Sequence, residues 1–166
     1  MKIAFPDIVW REKISYQNVV SVRTGFHYTD MQHEYAMFVD QIAQAGYTLK
    51  GPFFYSLNNT PLDEMVDIEQ FLPVYEHQPA RTSETSGLRF QSYFEIGPVF
   101  RGTVVKDFER QTERVYAELL ETLATNHLEM NTPFFHVAPQ DGAPYMHVYL
   151  GYTHQSDSPS STPLIF

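Results

Sequence analysis

The sequence predicts an α+β fold of two duplicated β-α-β-β units, related by a pseudo-two-fold axis and joined in a mainly antiparallel sheet with two long helices. Three observations carry this: two stretches of helical apolar period, short β-rich runs on both sides of each, and a self-match between the halves. Gly51-Pro52-Phe53-Phe54-Tyr55 reappears as Thr132-Pro133-Phe134-Phe135-His136. The same offset carries Leu49 to Met130 and Met65-Val66-Asp67-Ile68 to Met146-His147-Val148-Tyr149. Upstream, Val22-Arg23-Thr24-Gly25 matches Val99-Phe100-Arg101-Gly102 at a slightly shorter offset, so the second copy is longer by about one helical turn.

Taken in order, Ile14 to Phe26 reads as the first strand, rich in β-branched and aromatic residues. The first helix follows, because Met31, Tyr35, Phe38, Ile42 and Ala45 recur at spacings of four and three and so share one face. Thr29 with Gln32 suggests a capping box at its start, and Gly46 a stop. Phe53 to Leu57 and Met65 to Val74 then pair across the turn residues Asn58-Asn59-Thr60-Pro61. In the second copy the strand is Leu88 to Arg101 and the helix runs from about Asp107 to Ala124, with Phe108, Val115, Leu119 and Leu123 inward and Arg114 and Glu118 paired on the wet side. Phe134 to Ala138 and Tyr145 to Tyr152 close it, across Pro139-Gln140-Asp141-Gly142. The domain is expected to span 1–155, with repeat one about 8–76, a polar joint at 77–87 and repeat two about 88–153; residues 156–166 read as a disordered tail.

The chain's 166 residues fit one core. The absence of cysteine excludes disulfides, thiolate metal sites and a thiol nucleophile. A net charge of -9, spread over both halves, opposes a non-specific grip on nucleic acid or anionic lipid. There is no apolar run long enough to span a membrane and no signal-peptide pattern, so neither a membrane nor direct nucleic-acid partner is expected and a cytoplasmic location is the default. No G-x-S-x-G context surrounds any serine and no glycine-rich phosphate loop is present. Aromatic residues make up 15%, with 11 Tyr, which suits either a lined cleft or a β-rich core.

The duplicated unit, with Gly51-Pro52-Phe53-Phe54-Tyr55 opening one strand and Asp67-Ile68-Glu69-Gln70-Phe71-Leu72-Pro73-Val74 closing the next, resembles the GyrI-like superfamily of small-molecule-binding domains. Its members include the effector-binding domain of bacterial multidrug-sensing regulators and stand-alone bacterial proteins. The resemblance covers about residues 14–153. It implies an aromatic cleft between the two units, occupied in that family by cationic lipophilic ligands held by a buried glutamate of the second repeat, and in some members a hydrolase that uses a Tyr and a Glu. Here the last strand, Tyr145 to Tyr152, has no acid, while the D-x-E pair sits in the first half as Asp67 and Glu69.

The expected ligand-binding residues are Tyr16, Tyr55, Glu69, Tyr93, Glu95, His147 and Tyr149. Each has a plainer reading. Glu69 alternates with Ile68 and Phe71 and faces away from the apolar side, toward solvent or an arginine. Glu95, flanked by Phe90, Phe94 and Ile96, is either a buried acid of raised pKa or an ordinary surface group. Arg23 and Arg101, matched between the halves, either clamp an anion or pair with Glu69 or Glu95. The tyrosines line a pocket or pair across strands. His136, His147 and His154 lack the spacing of a metal site, and no metal or cofactor is expected. The reading is thus a stand-alone binder of a small apolar or aromatic ligand. The alternatives are a protein-interaction partner without a ligand, and a hydrolase pairing Tyr93 or Tyr149 with Glu95.

Overall fold

The computed structural model describes residues 1–11, 13–59, 63–80 and 87–154. The expected tail and much of the polar joint lie outside them. The elements run β1 (Val9–Arg11), β2 (Ile14–His27), α1 (Met31–Gln44), β3 (Phe54–Leu57), β4 (Met65–Pro73), β5 (Arg89–Ile96), β6 (Val99–Val104), α2 (Phe108–Thr125), β7 (Leu128–Val137) and β8 (Met146–His154). All strands join one antiparallel sheet of order β1-β6-β8-β7-β3-β4-β2-β5, an α+β arrangement. β3, β4 and β2 of the first half stay together, as do β6, β8 and β7 of the second; the halves meet where β3 pairs with β7, and again where β5 adds to β2 and β1 to β6.

The single strand expected over Leu88 to Arg101 is two strands. Gly97 and Pro98 interrupt it, since proline lacks a donor for the ladder, and the chain then crosses from one edge of the sheet to the other end. The expected capping box is absent: a 3-10 turn over Tyr28–Asp30 precedes α1, Asp30 occupies the cap without a side-chain bond, and His27 Nδ1 accepts from the Thr29 N–H. The Gly46 stop is present as a Schellman ending. Gly46 takes φ +91°, its N–H reaches the Ala43 carbonyl at 3.1 Å and the Tyr47 N–H reaches that of Ile42 at 3.2 Å.

Both helices pack on one face of the sheet. Phe38 and Ile42 of α1 bury against Val20, Leu72 and Val74. Val115, Leu119 and Leu123 of α2 bury against Phe100, Val104, Val148 and Leu150. Gly102 of β6 lets α2 approach: a Cβ there would run into Val115 Cγ1. On the rear face, period-two alternation places Phe54, Phe71, Phe135 and Val137 in a second aromatic core with Tyr149 and Val99. Phe54 and Phe71 stack at 4.7 Å and 3°, and Phe94 and Tyr16 close over them.

Candidate functional site

The helices leave the centre of the sheet uncovered near their N-terminal ends. There a cavity of about 810 Å³ opens between the first turns of α1 and α2, above the seam where β3 meets β7. Its floor is the alternate set of β-residues to the rear core: Tyr55 and Leu57 of β3, Val66 and Ile68 of β4, His136 of β7 and Phe26 of β2. Its walls are Met31 on one side and Phe108, Thr112 and Tyr116 on the other. The rim carries Asp63, Glu64, Glu109 and Glu113 against a single basic lining residue, Arg110. The volume lies within the range of small-molecule sites, and the rim field is negative.

Three polar rings sit at the seam. Tyr55 is the direct cross-strand partner of His136, and their rings stack at 4.5 Å and 10°. The Tyr116 hydroxyl, from the third turn of α2, is hydrogen-bonded with His136 Nε2. Burial holds the His136 imidazole far below its usual range, at about 3, so the ring is neutral at ordinary pH. Burial pushes the Tyr55 phenol up to about 12. Tyr116 is raised too, first by burial and then by the neighbouring Tyr55. The seam is therefore a neutral, aromatic surface with hydrogen-bonding edges, and its charge is confined to the rim.

Of the seven expected residues, Tyr55 lines this cavity. Tyr16 and Tyr93 line a smaller hollow of about 410 Å³ with Lys50 and Gly51. Burial raises the Tyr16 phenol to about 12, with Tyr149 adding to it. Tyr149 is buried in the rear core, and His147 beside it is half-buried, with Nδ1 3.0 Å from Thr103 Oγ1. Glu69 takes the plainer of its two readings: it accepts from the Ser21 hydroxyl at 3.1 Å and lies 3.8 Å from Arg89. Glu95 is a surface acid. Lys13 stands 3.0 Å away and holds its carboxyl below the usual range, the reverse of a buried acid, and Tyr93 donates to it at 3.2 Å. Arg23 grips Asp67, neither of the acids expected for it, with two hydrogen bonds of 2.9 and 2.6 Å.

Sequence reasoning missed Tyr116, and weighed His136 as a metal ligand or a packing and hydrogen-bonding ring, without placing it in the ligand site. A signal for Tyr116 existed: it follows Val115 on the inward side of α2, where a polar-tipped ring is an unusual core choice. Among the described residues no group of three or more His, Asp and Glu is placed to hold a metal ion. None of the described helices is long and apolar enough to cross a membrane.

A family model described as Domain of unknown function (DUF5085) matches residues 15–152. Comparison with curated proteins finds no match. Among solved structures, the chain is similar to the C-terminal domain of EcmrR, with 12% identity, a TM-score of 0.62, and coverage of 88% of this chain and 99% of that one. It is also similar to a hydrolase from Listeria innocua, with 16% identity, a TM-score of 0.53, and coverage of 88% and 90%. Identities this low establish a shared fold.

Proposed function

We propose that this chain, which belongs to the family described as Domain of unknown function (DUF5085), is a small-molecule-binding protein whose site is the cavity between the N-terminal ends of α1 and α2. The observation that carries the reading is the division of that cavity into an apolar and aromatic floor and an acidic rim. A flat apolar body stacks or packs on Tyr55, Leu57 and Ile68, and burial of its surface supplies the driving force. Hydrogen bonds to Tyr116 and Tyr55 orient it. Positive charge on the ligand is favoured at the mouth, where Glu109 and Glu113 lie one helical turn apart. The fold shared with the EcmrR C-terminal domain and the sequence resemblance to GyrI-like effector-binding domains support a binding role over a purely structural one.

The test compares two isosteres, phenyltrimethylammonium and tert-butylbenzene, by calorimetric titration. Saturable binding of either, abolished by the cavity-filling substitution Thr112→Trp, is the expected result. Preference for the cation should fall in Glu109→Gln/Glu113→Gln and with added salt. Binding of both that Thr112→Trp leaves unchanged overturns the assignment of the site. Absence of any binding by these probes and by a wider aromatic library, with no small molecule retained on native mass spectrometry, overturns the function.

A further inference from the structure

Acids and bases are unequally matched away from the cavity. Asp67 has Arg23, Glu69 has Arg89, and Glu95 has Lys13. Arg101, which the sequence matches to Arg23, has no such partner: among the described residues no carboxylate pairs with Arg101 or Arg11. Register brings these two together with further donors. Arg101 lies between Val9 of β1 and Tyr149 of β8, Arg11 lies opposite Val99, and Thr103 lies opposite His147. Residues paired across an antiparallel ladder, and those two positions along it, share a face, so Arg11, Arg101, Thr103, His147 and Tyr149 stand on the rear of the sheet.

The surroundings of Arg101 are rich in hydrogen-bond donors. Arg101 is partly buried, its Nε enclosed without a hydrogen-bond partner, and its side chain meets the Tyr149 hydroxyl. The Tyr145 ring lies 4.9 Å from that of His147 and forms an aromatic wall. Burial lowers the His147 imidazole, and the fields of Arg101 and Arg11 lower it further. In a chain of net charge -9, a local positive field thus stands here with no acid among the described residues paired to it.

We propose that this patch is a second binding site, separate from the cavity, for a small ligand bearing an oxyanion, held between the guanidinium groups of Arg101 and Arg11 and hydrogen-bonded by His147 and Tyr149. A guanidinium presents paired N–H donors that match a carboxylate or phosphate, and the partly desolvated position of Arg101 strengthens such a pair. Tyr145 and Tyr149 provide apolar contact for the body of the ligand.

Inorganic phosphate and benzoate, titrated separately into the full chain at constant ionic strength, distinguish the two sources of the oxyanion. The ring resonances of His147 and Tyr149, followed by NMR, are expected to shift saturably with at least one. Response to phosphate alone assigns a phosphoryl group, and response to benzoate alone a carboxylate. Arg11→Gln, at an exposed position that should fold normally, is expected to weaken binding by about tenfold, the usual effect of losing one charged hydrogen bond. Arg23→Gln, which removes an arginine already paired with an acid, should leave it unchanged. The absence of saturable shifts with either anion, or equal loss in both variants, overturns the proposal. Because these probes read the face opposite the cavity, the site can fail while the cavity binds, and the reverse.

Discussion

Lowering the pH should destabilise the fold through His136, by an amount that follows from its burial. The ring is 4% exposed, stacked on Tyr55 and hydrogen-bonded by Tyr116. Its pKa lies at about 3 in the fold and returns to about 6.5 on unfolding. Because the folded value is the lower, the unfolded chain takes up the proton first, so the stability is present above pH 6.5 and is lost as the pH falls toward 3. The slope approaches about 1.4 kcal/mol per pH unit once the unfolded imidazole is mostly protonated, and the loss between pH 6.5, where it is half protonated, and pH 4.5 is about 2.3 kcal/mol. That is a large part of the 5–15 kcal/mol that typically holds a domain together. Asp67, Glu76 and Glu95, whose carboxyls are held low, also lose stability in acid, so the wild type must be compared with a variant that lacks only the imidazole. His136→Gln retains an acceptor for Tyr116. In urea unfolding followed by circular dichroism, the stability difference between wild type and variant should shift by about 2.3 kcal/mol against the wild type on going from pH 6.5 to 4.5. A difference that stays constant with pH, or a His136 ring resonance that titrates near pH 6.5, would refute the reasoning.

Three further outcomes are expected. Gly102→Ala pushes a methyl group into Val115 and should cost about 1–3 kcal/mol, read as a lower Tm, because α2 must lift from β6. Phe54→Ala removes the ring shared by Tyr16, Phe71, Phe94 and Phe135 and should cost about 3–5 kcal/mol in chemical denaturation, while ligands of the opposite face retain their affinity if the protein is kept folded. Glu95→Gln, at a surface acid paired with Lys13, should lower the unfolding midpoint only slightly and leave binding in the cavity unchanged; a loss of binding would return this acid to the site.

Local signals were legible where the physics is local. The alternation of four and three along Met31 to Ala45 marks a helix in the sequence, and α1 occupies Met31–Gln44. Gly46, free to take a positive φ, marks its end. The break at Gly97-Pro98 was equally visible as a proline inside a strand-like run, yet the alternating apolar residues around it suggested one continuous strand. The site was less legible because Glu95 and His147 have neighbours in sequence that differ from those in space. Phe94 and Ile96 flank Glu95 along the chain and suggest burial, but successive residues of a strand point to opposite faces, and Glu95 points to Lys13.

From its own residues the chain determines two amphipathic helices among β-strands, with an aromatic reserve larger than one apolar face requires. Helical period, strand alternation and turn residues act over a few positions, so each can be read without knowing what lies across the sheet. The site belongs to the tertiary structure alone. Only the pairing of β3 with β7 sets Tyr55 over His136, and only the packing of α2 brings Tyr116 to complete the seam. Likewise, Arg23 and Arg101 occupy matched positions in the sequence, but Asp67 pairs with the first, while among the described residues no acid pairs with the second. Cross-strand register decides both, and register depends on which distant residues bury best together.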